Sequence, residues 1–417
     1  MASRHLVPFM NGLRVLISNL ALLGRSGTEM YVRDLALGLS RRGHVPVVYA
    51  PRLGSTAQGL KAAGVIVTDR LSSVHPAPDL IHGHHNLPTM AALLHFMGIP
   101  AVFVCHDRTA WHDAPPRFSR IRRYAAVDHY CLDRLVKDHS IPAERTQVVL
   151  NSVDLERFKP RKPLPKLPRR ALLFSNHANQ YTHLNPVREA CQRTSLELDV
   201  IGSGVDNVCE HPESVLGEYD LVFAKARCAL EALATGAAVV LCGSEGSGPI
   251  VTYGRLEELR RFNFGRSVLN EPLAPELLAQ QIKSYDAAEA SRVSARIRKE
   301  ASLETMISQW LQIYESVLAE SADVAPSMPD DESRAAAAFL CSLEPHLFGQ
   351  AVELNRMLHE RNYLMLQLEA REASRSGPRD EIGELQTTLE PGKPVPFWSH
   401  FSDKLKQQWV QWRDKLN

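Results

Sequence analysis

The densest set of chemically able side chains stands at Ala224-Lys225-Ala226-Arg227-Cys228-Ala229-Leu230-Glu231, ahead of Gly236 and a strand from Ala237 to Leu241. Lys225 and Arg227 fall in the first turn of the helix this stretch predicts. Cations there oppose the helix dipole, so the placement is unfavourable unless an anion lies between them, and a pyrophosphate fits that description. Glu231, one turn further on, is able to bind the vicinal hydroxyls of a ribose. The alternative is a solvated helix start with an ordinary surface glutamate. A second candidate is the loop Leu23-Gly24-Arg25-Ser26-Gly27-Thr28-Glu29, where Ser26 and Gly27 would bring backbone N–H groups at a helix start close to a phosphate. Its spacing is not G-x-G-x-x-G, and a bare turn is the alternative. Gly202 and Gly204, behind a strand from Leu196 to Ile201, join the binding candidates.

Most of the histidines lie in the first part of the chain. His82, His84 and His85 are close enough in sequence to suggest a metal, but no matching carboxylate pattern accompanies them, and no metal is expected. His106 directly follows an apolar strand, where parallel sheets gather their ligands. A histidine bonded to Asp107 in a loop is its alternative. There is no Asp-x-Asp, no G-x-S-x-G and no Walker loop, so hydrolase and P-loop readings fall away.

The elements that must position these residues alternate. Short β-branched runs occur at 13–18, 45–50, 65–68, 80–81 and 101–105, with helical periodicity at 30–42 and 90–97 between them. Strand, helix, strand in this order implies a parallel sheet covered on both faces. The stretch 159–170, with prolines at 160, 163, 165 and 168, reads as a linker. The alternation then restarts through 171–174, 185–193, 196–201, 221–223, 226–235 and 238–241, so a second Rossmann-like unit is the economical reading. An amphipathic helix from Leu303 to Ser321 carries Trp310 and Tyr314 and closes that unit. Leu347, Leu354, Leu358, Met365 and Leu368 then mark one apolar helical seam, either a plain helical extension or a coiled coil. After further prolines, Trp398, Phe401, Leu405, Trp409, Trp412 and Leu416 share one face of a last helix. That face suits either a bilayer interface or docking onto protein.

With 417 residues, two domains of about 150 residues plus an appendage are expected. The predicted boundaries are 1–160, 171–322 and 332–417. The 48 basic and 47 acidic residues nearly cancel, so no global field recruits nucleic acid, and any electrostatic site is local. Seven scattered cysteines without a C-x-x-C argue for a reducing, cytoplasmic compartment. No run reaches the ~20 apolar residues a bilayer span needs.

Ser26-Gly27-Thr28-Glu29 through Arg42-Gly43-His44 resembles the opening of the GT-B glycosyltransferases in the large retaining family 4 group. Pro78-Asp79-Leu80-Ile81-His82-Gly83-His84, Val104-Cys105-His106-Asp107 and Asn151-Ser152-Val153-Asp154 follow in order. Leu230-Glu231-Ala232-Leu233-Ala234-Thr235-Gly236 then mirrors the family's L-E-A-x-A-x-G, and the resemblance spans roughly 13–320. It implies an α/β, GT-B architecture: two Rossmann-like domains facing a cleft, here with a C-terminal helical extension. It also implies a nucleotide-sugar donor held mainly by the second domain, with no separate cofactor. The implied donor is a UDP- or GDP-sugar and the implied acceptor a glycan or lipid-linked molecule.

In this group a lysine and an arginine contact the diphosphate, and the second glutamate of an E-x7-E motif binds ribose. Glu231 matches that glutamate. Lys225 and Arg227 lie closer to it than the usual basic pair does, so their assignment rests on the helix-terminus argument. By the same resemblance His106 would contact the donor sugar. Phe223 stands eight residues before Glu231, in place of the first glutamate. The expected catalytic residues are thus His106, Lys225 and Arg227. The donor-binding set is Ser26, Gly27, Gly202, Gly204, Lys225, Arg227 and Glu231. A metal-independent, retaining sugar transfer is the favoured activity; a non-catalytic scaffold and a UDP-sugar 2-epimerase are the alternatives. The helical tail is the candidate for peripheral membrane contact or homo-oligomer contact.

Overall fold

The computed structural model describes residues 12–322 and 329–376, so the expected terminal helix 398–416 lies outside the described residues. By its contacts the chain divides into Met1–Cys341 and Ser342–Asn417, and both sheets lie in the first unit.

The first sheet has seven strands: β1 (Arg14–Ser18), β2 (Val45–Tyr49), β3 (Ile66–Thr68), β4 (Leu80–His84), β5 (Ala101–Cys105), β6 (Ile121–Ala126) and β7 (Thr146–Val148). Their order is β3-β2-β1-β4-β5-β6-β7, and every pairing is parallel. The second sheet holds β8 (Arg170–Phe174), β9 (Glu197–Ile201), β10 (Leu221–Ala224), β11 (Ala238–Gly243) and β12 (Gly246–Ile250) in the order β12-β11-β10-β8-β9. Only β12 runs antiparallel. Strands such as Val15-Leu16-Ile17 and Val102-Phe103-Val104 are fully buried, because helices cover both faces of a parallel sheet and alternation is lost. Connections reverse direction between β1 and β4 and between β8 and β10, and the crevices at those switch points are where such sheets bind ligands.

Helix Leu303–Ala322 is placed differently from the expectation. Its buried stripe of Met306, Ile307, Trp310, Ile313, Tyr314 and Val317 joins the core of the first sheet, not the second. Periodicity fixes which face is apolar and says nothing about which sheet covers it. The helix lies against helix Gly27–Arg41 at Gly38, where a Cβ would come within 2.5 Å of Ile307, so only glycine permits the approach. The indole N–H of Trp310 donates to the Tyr31 hydroxyl at 2.8 Å.

Buried Arg120 ties several segments together. Its guanidinium donates to the carbonyls of Phe96 and Ile99 and pairs with Glu332 at 2.7 Å, near the start of helix Pro329–Ser376. Further along that helix the seam residues Leu347, Leu354, Leu358, Met365 and Leu368 are exposed. Among the described residues no helix is long and apolar enough to cross a membrane.

Candidate functional site

A cavity of about 240 Å³ opens between the two sheets and is lined from both. His106 directly follows β5 and Asp128 stands two residues past the end of β6; Lys225 follows β10, and Glu245 sits in the tight turn between β11 and β12. All four project from carboxyl ends of strands, so the sheets aim their chemistry at one another. Arg108 and Arg266 stand at the same cavity.

His106 belongs to a buried histidine cluster with His82, His84 and His85. Its Nε2 lies 2.6 Å from Nδ1 of His84, and its backbone N–H donates to Asp113 at 3.1 Å. His82 is paired through Nδ1 with the Tyr314 hydroxyl at 2.6 Å. Burial disfavours the charged imidazolium at every one of these rings. It pushes His106 and His85 down to about 3 and His82 and His84 well below the ordinary value. Burial acts on Asp113 in the opposite sense and raises it to about 7. The four rings are therefore neutral.

Lys225 is the N-cap of helix Ala226–Thr235, as the sequence implies, and its ammonium is held by both carboxylate oxygens of Glu245, the longer contact 2.6 Å. Glu245 ionises below the ordinary range because the Lys225 pairing outweighs its partial burial. The strand-to-helix connection is a single residue, and Ala226 takes a left-handed φ of 49°, a conformation that costs a non-glycine residue about 1–3 kcal/mol.

That short connection changes the meaning of Phe223. The resemblance sets it where a glutamate would lie beside a sugar, but Phe223 is an interior residue of β10, wholly buried in the second domain's core. There is no loop here to carry a carboxylate. Glu245, on the neighbouring turn, is the carboxylate that the second domain brings to the cavity.

Arg227 is not left beside Lys225 to meet a diphosphate as expected: its guanidinium Nε donates to Glu231 at 2.8 Å, one helical turn on, and neither residue lines the cavity. The remaining guanidinium edge donates to Asp34 of helix Gly27–Arg41, which the sequence reading missed. Burial works against the charge of Arg227, and Asp34 followed by Glu231 more than offsets it, so its pKa lies above the ordinary value. Glu231, also buried, is raised by burial, with Arg227 opposing. One guanidinium and two carboxylates thus bridge the two domains away from solvent. A signal existed: Asp34 is an acid among the buried positions Tyr31, Val32, Leu35 and Ala36.

The glycine loops are held by internal groups. Ser26 caps helix Gly27–Arg41, and Glu29 accepts N–H bonds from Leu23, Gly24 and Ser26 at 2.5, 3.1 and 2.7 Å. These are the donors a phosphate would use, and a carboxylate already fills them. A Cβ at Gly27 would meet nothing within 4 Å, so close approach is not what selects glycine there. At Gly202 it is: a Cβ would fall 1.9 Å from the Ser175 carbonyl oxygen, and at Gly204 2.4 Å from that of Ala178. Both glycines press the loop after β9 against the loop after β8. Gly202→Ala should therefore lower stability by about 1–3 kcal/mol through forced separation of these loops, read as a shift in urea midpoint.

Among the described residues, His85, His112 and Asp113 bring one potential metal-ligand atom each within 4.8 Å of the others. The Leu20 N–H, however, donates to His85 Nδ1 at 3.2 Å. That bond takes up Nδ1, so only Nε2 of His85 could turn to the trio, and it is buried without a hydrogen-bond partner.

Residues 69–157 match the family described as Glycosyltransferase Family 4. A glycosyltransferase from Rickettsia africae ESF-5 aligns at 16% identity and TM-score 0.55, over 74% of this chain and 99% of that one. Anabaena HepE in complex with UDP-glucose aligns at 17% identity and TM-score 0.53, over 73% of this chain and all of that one. The chain has the GT-B fold. No curated protein matches it. Within the GT-B frame the family match covers β4 to β7, and with them His82, His84 and His106.

Proposed function

We propose that this GT-B chain is a glycosyltransferase that moves a sugar from a nucleoside-diphosphate sugar to a glycan or lipid-linked acceptor. The observation that carries the reading is the interdomain cavity, with His106 on one wall and the Lys225–Glu245 pair on the other. The family 4 match and the HepE complex with UDP-glucose support the donor class. The donor is placed with its diphosphate at Lys225 and its sugar between His106 and Glu245. Glu231, the expected ribose contact, is taken up by Arg227 outside this cavity and is given no part in holding the donor.

As the bond from the anomeric carbon to the diphosphate breaks, negative charge grows on the leaving oxygen. The Lys225 ammonium stabilises it, an electrostatic term that is large in a site shielded from water. Neutral His106 is suited to hydrogen bonding with a sugar oxygen and not to carrying charge. In a retaining course the acceptor arrives on the leaving-group side, and a donor phosphate oxygen takes its proton. No metal is needed in this scheme.

Calorimetric titration with UDP, GDP and ADP, with and without magnesium, tests the reading. Binding of one nucleotide without metal is expected. Lys225→Ala should weaken that binding by about 1–3 kcal/mol, the loss of one charge-assisted contact. No binding to any of the three by the intact chain would overturn the assignment and leave the scaffold alternative.

A further inference from the structure

We propose that His84 is a positioning residue that fixes the tautomer of His106, so that His106 presents a protonated Nδ1 to the interdomain cavity. His84 ends β4, is fully buried, and meets Nε2 of His106 through its own Nδ1 at 2.6 Å. Both rings are neutral, so each carries one proton, and the short contact requires that only one of the two facing nitrogens be protonated.

The far side of His84 decides which. Its Nε2 is buried and has no hydrogen-bond partner. If His106 donated, the His84 proton would sit on Nε2 as an N–H buried without an acceptor. Such orphaned donors are the rarest unsatisfied groups in folded proteins, and each costs about 1–3 kcal/mol. The favoured arrangement puts the His84 proton on Nδ1, donating to His106 Nε2 and leaving only a bare lone pair at the orphan position. His106 must then carry its own proton on Nδ1, the ring nitrogen left for the cavity.

Ring packing keeps the pair aligned. Tyr31 lies edge-on to both imidazoles, with centroids 5.4 Å from His84 and 5.1 Å from His106. The backbone of His106 is separately tied to Asp113. His106 consequently faces its ligand as a hydrogen-bond donor and seeks an acceptor oxygen, such as a sugar hydroxyl or phosphate oxygen. The ligand class rests on the glycosyl-transfer reading; the tautomer does not.

Long-range 1H–15N correlation of histidine-labelled protein distinguishes a protonated ring nitrogen from a bare one, and a His106→Gln variant assigns the signal. The expected result is a His106 proton on Nδ1 in the intact chain, retained in His84→Asn, whose amide nitrogen can replace the donor. In His84→Asp, whose carboxylate can only accept, Nε2 of His106 should become protonated. A proton on Nε2 in the intact chain, or an Nε2 that stays bare opposite the carboxylate of His84→Asp, would overturn the proposal. If His84→Asp does not fold, the intact chain alone decides. Absence of transfer by the intact chain with every donor would count against the enzymatic reading and leave the tautomer assignment standing.

Discussion

Arg227→Ala should destabilise the folded chain by about 3–5 kcal/mol, beyond any effect on ligand binding. The substitution leaves Glu231 buried without its cation, and Asp34 with only the partly exposed Arg33 guanidinium at 3.0 Å. The cost of breaking a buried ion group comes mainly from the charges left behind. A triple variant, Asp34→Asn, Arg227→Met and Glu231→Gln, removes all three charges together and should recover most of the loss. Urea denaturation of the four proteins compares the two. An Arg227→Ala midpoint equal to that of the parent would mean the guanidinium is hydrated and free, the alternative that the sequence left open.

Mild acid should unfold the chain. His82, His84, His85 and His106 are held neutral by burial, with folded pKa values far below 6.5. Between those values and 6.5 each binds a proton only after unfolding, so each removes stability as pH falls below 6.5. The slope approaches about 1 kcal/mol per pH unit for each ring. Asp113 acts in the opposite sense. Its folded pKa of about 7 against 3.8 means that the folded chain keeps a proton the unfolded one has lost, and its contribution grows as pH falls through that window. Within this cluster, four histidines against one aspartic acid leave three uncompensated groups and a loss of about 3–4 kcal/mol per pH unit; buried His183 adds to it, and the raised carboxyls of Asp128 and Glu231 oppose it. Urea midpoints taken from about pH 7 down to about pH 5 should fall steeply. A flat profile would place water, not protein, around the imidazoles.

Much of this architecture is legible in the residues themselves. The β-branched runs and their spacing mark most of the parallel strands, because a strand buried on both faces must be continuously apolar. β6 escapes, since Arg122 and Arg123 interrupt its pattern. Lys225 at a helix start and Glu231 one turn on follow from local spacing, and the structure keeps both placements. What spacing cannot carry is the partner from elsewhere in the chain. Asp34 and Arg227 are 193 residues apart, yet they share a salt bridge. Glu245 follows Lys225 by twenty residues and joins it only because β10 and β11 are neighbours. Phe223 illustrates the converse error. Counting eight residues back from Glu231 assumes a loop, and a one-residue connection turns the same count into a core strand position.

The seating of helix Leu303–Ala322 in the first core bears on how a ribosome delivers this protein. Domains usually acquire structure in the order of synthesis as the nascent chain emerges. Here the first sheet is complete at β7, but Trp310 and Tyr314, both fully buried in its core, are translated only after the whole second domain. The earlier-made half therefore waits, with an apolar groove uncovered, while the later-made half folds between it and its missing helix. Translation order and assembly order are opposed, so the second domain is the first that can be finished.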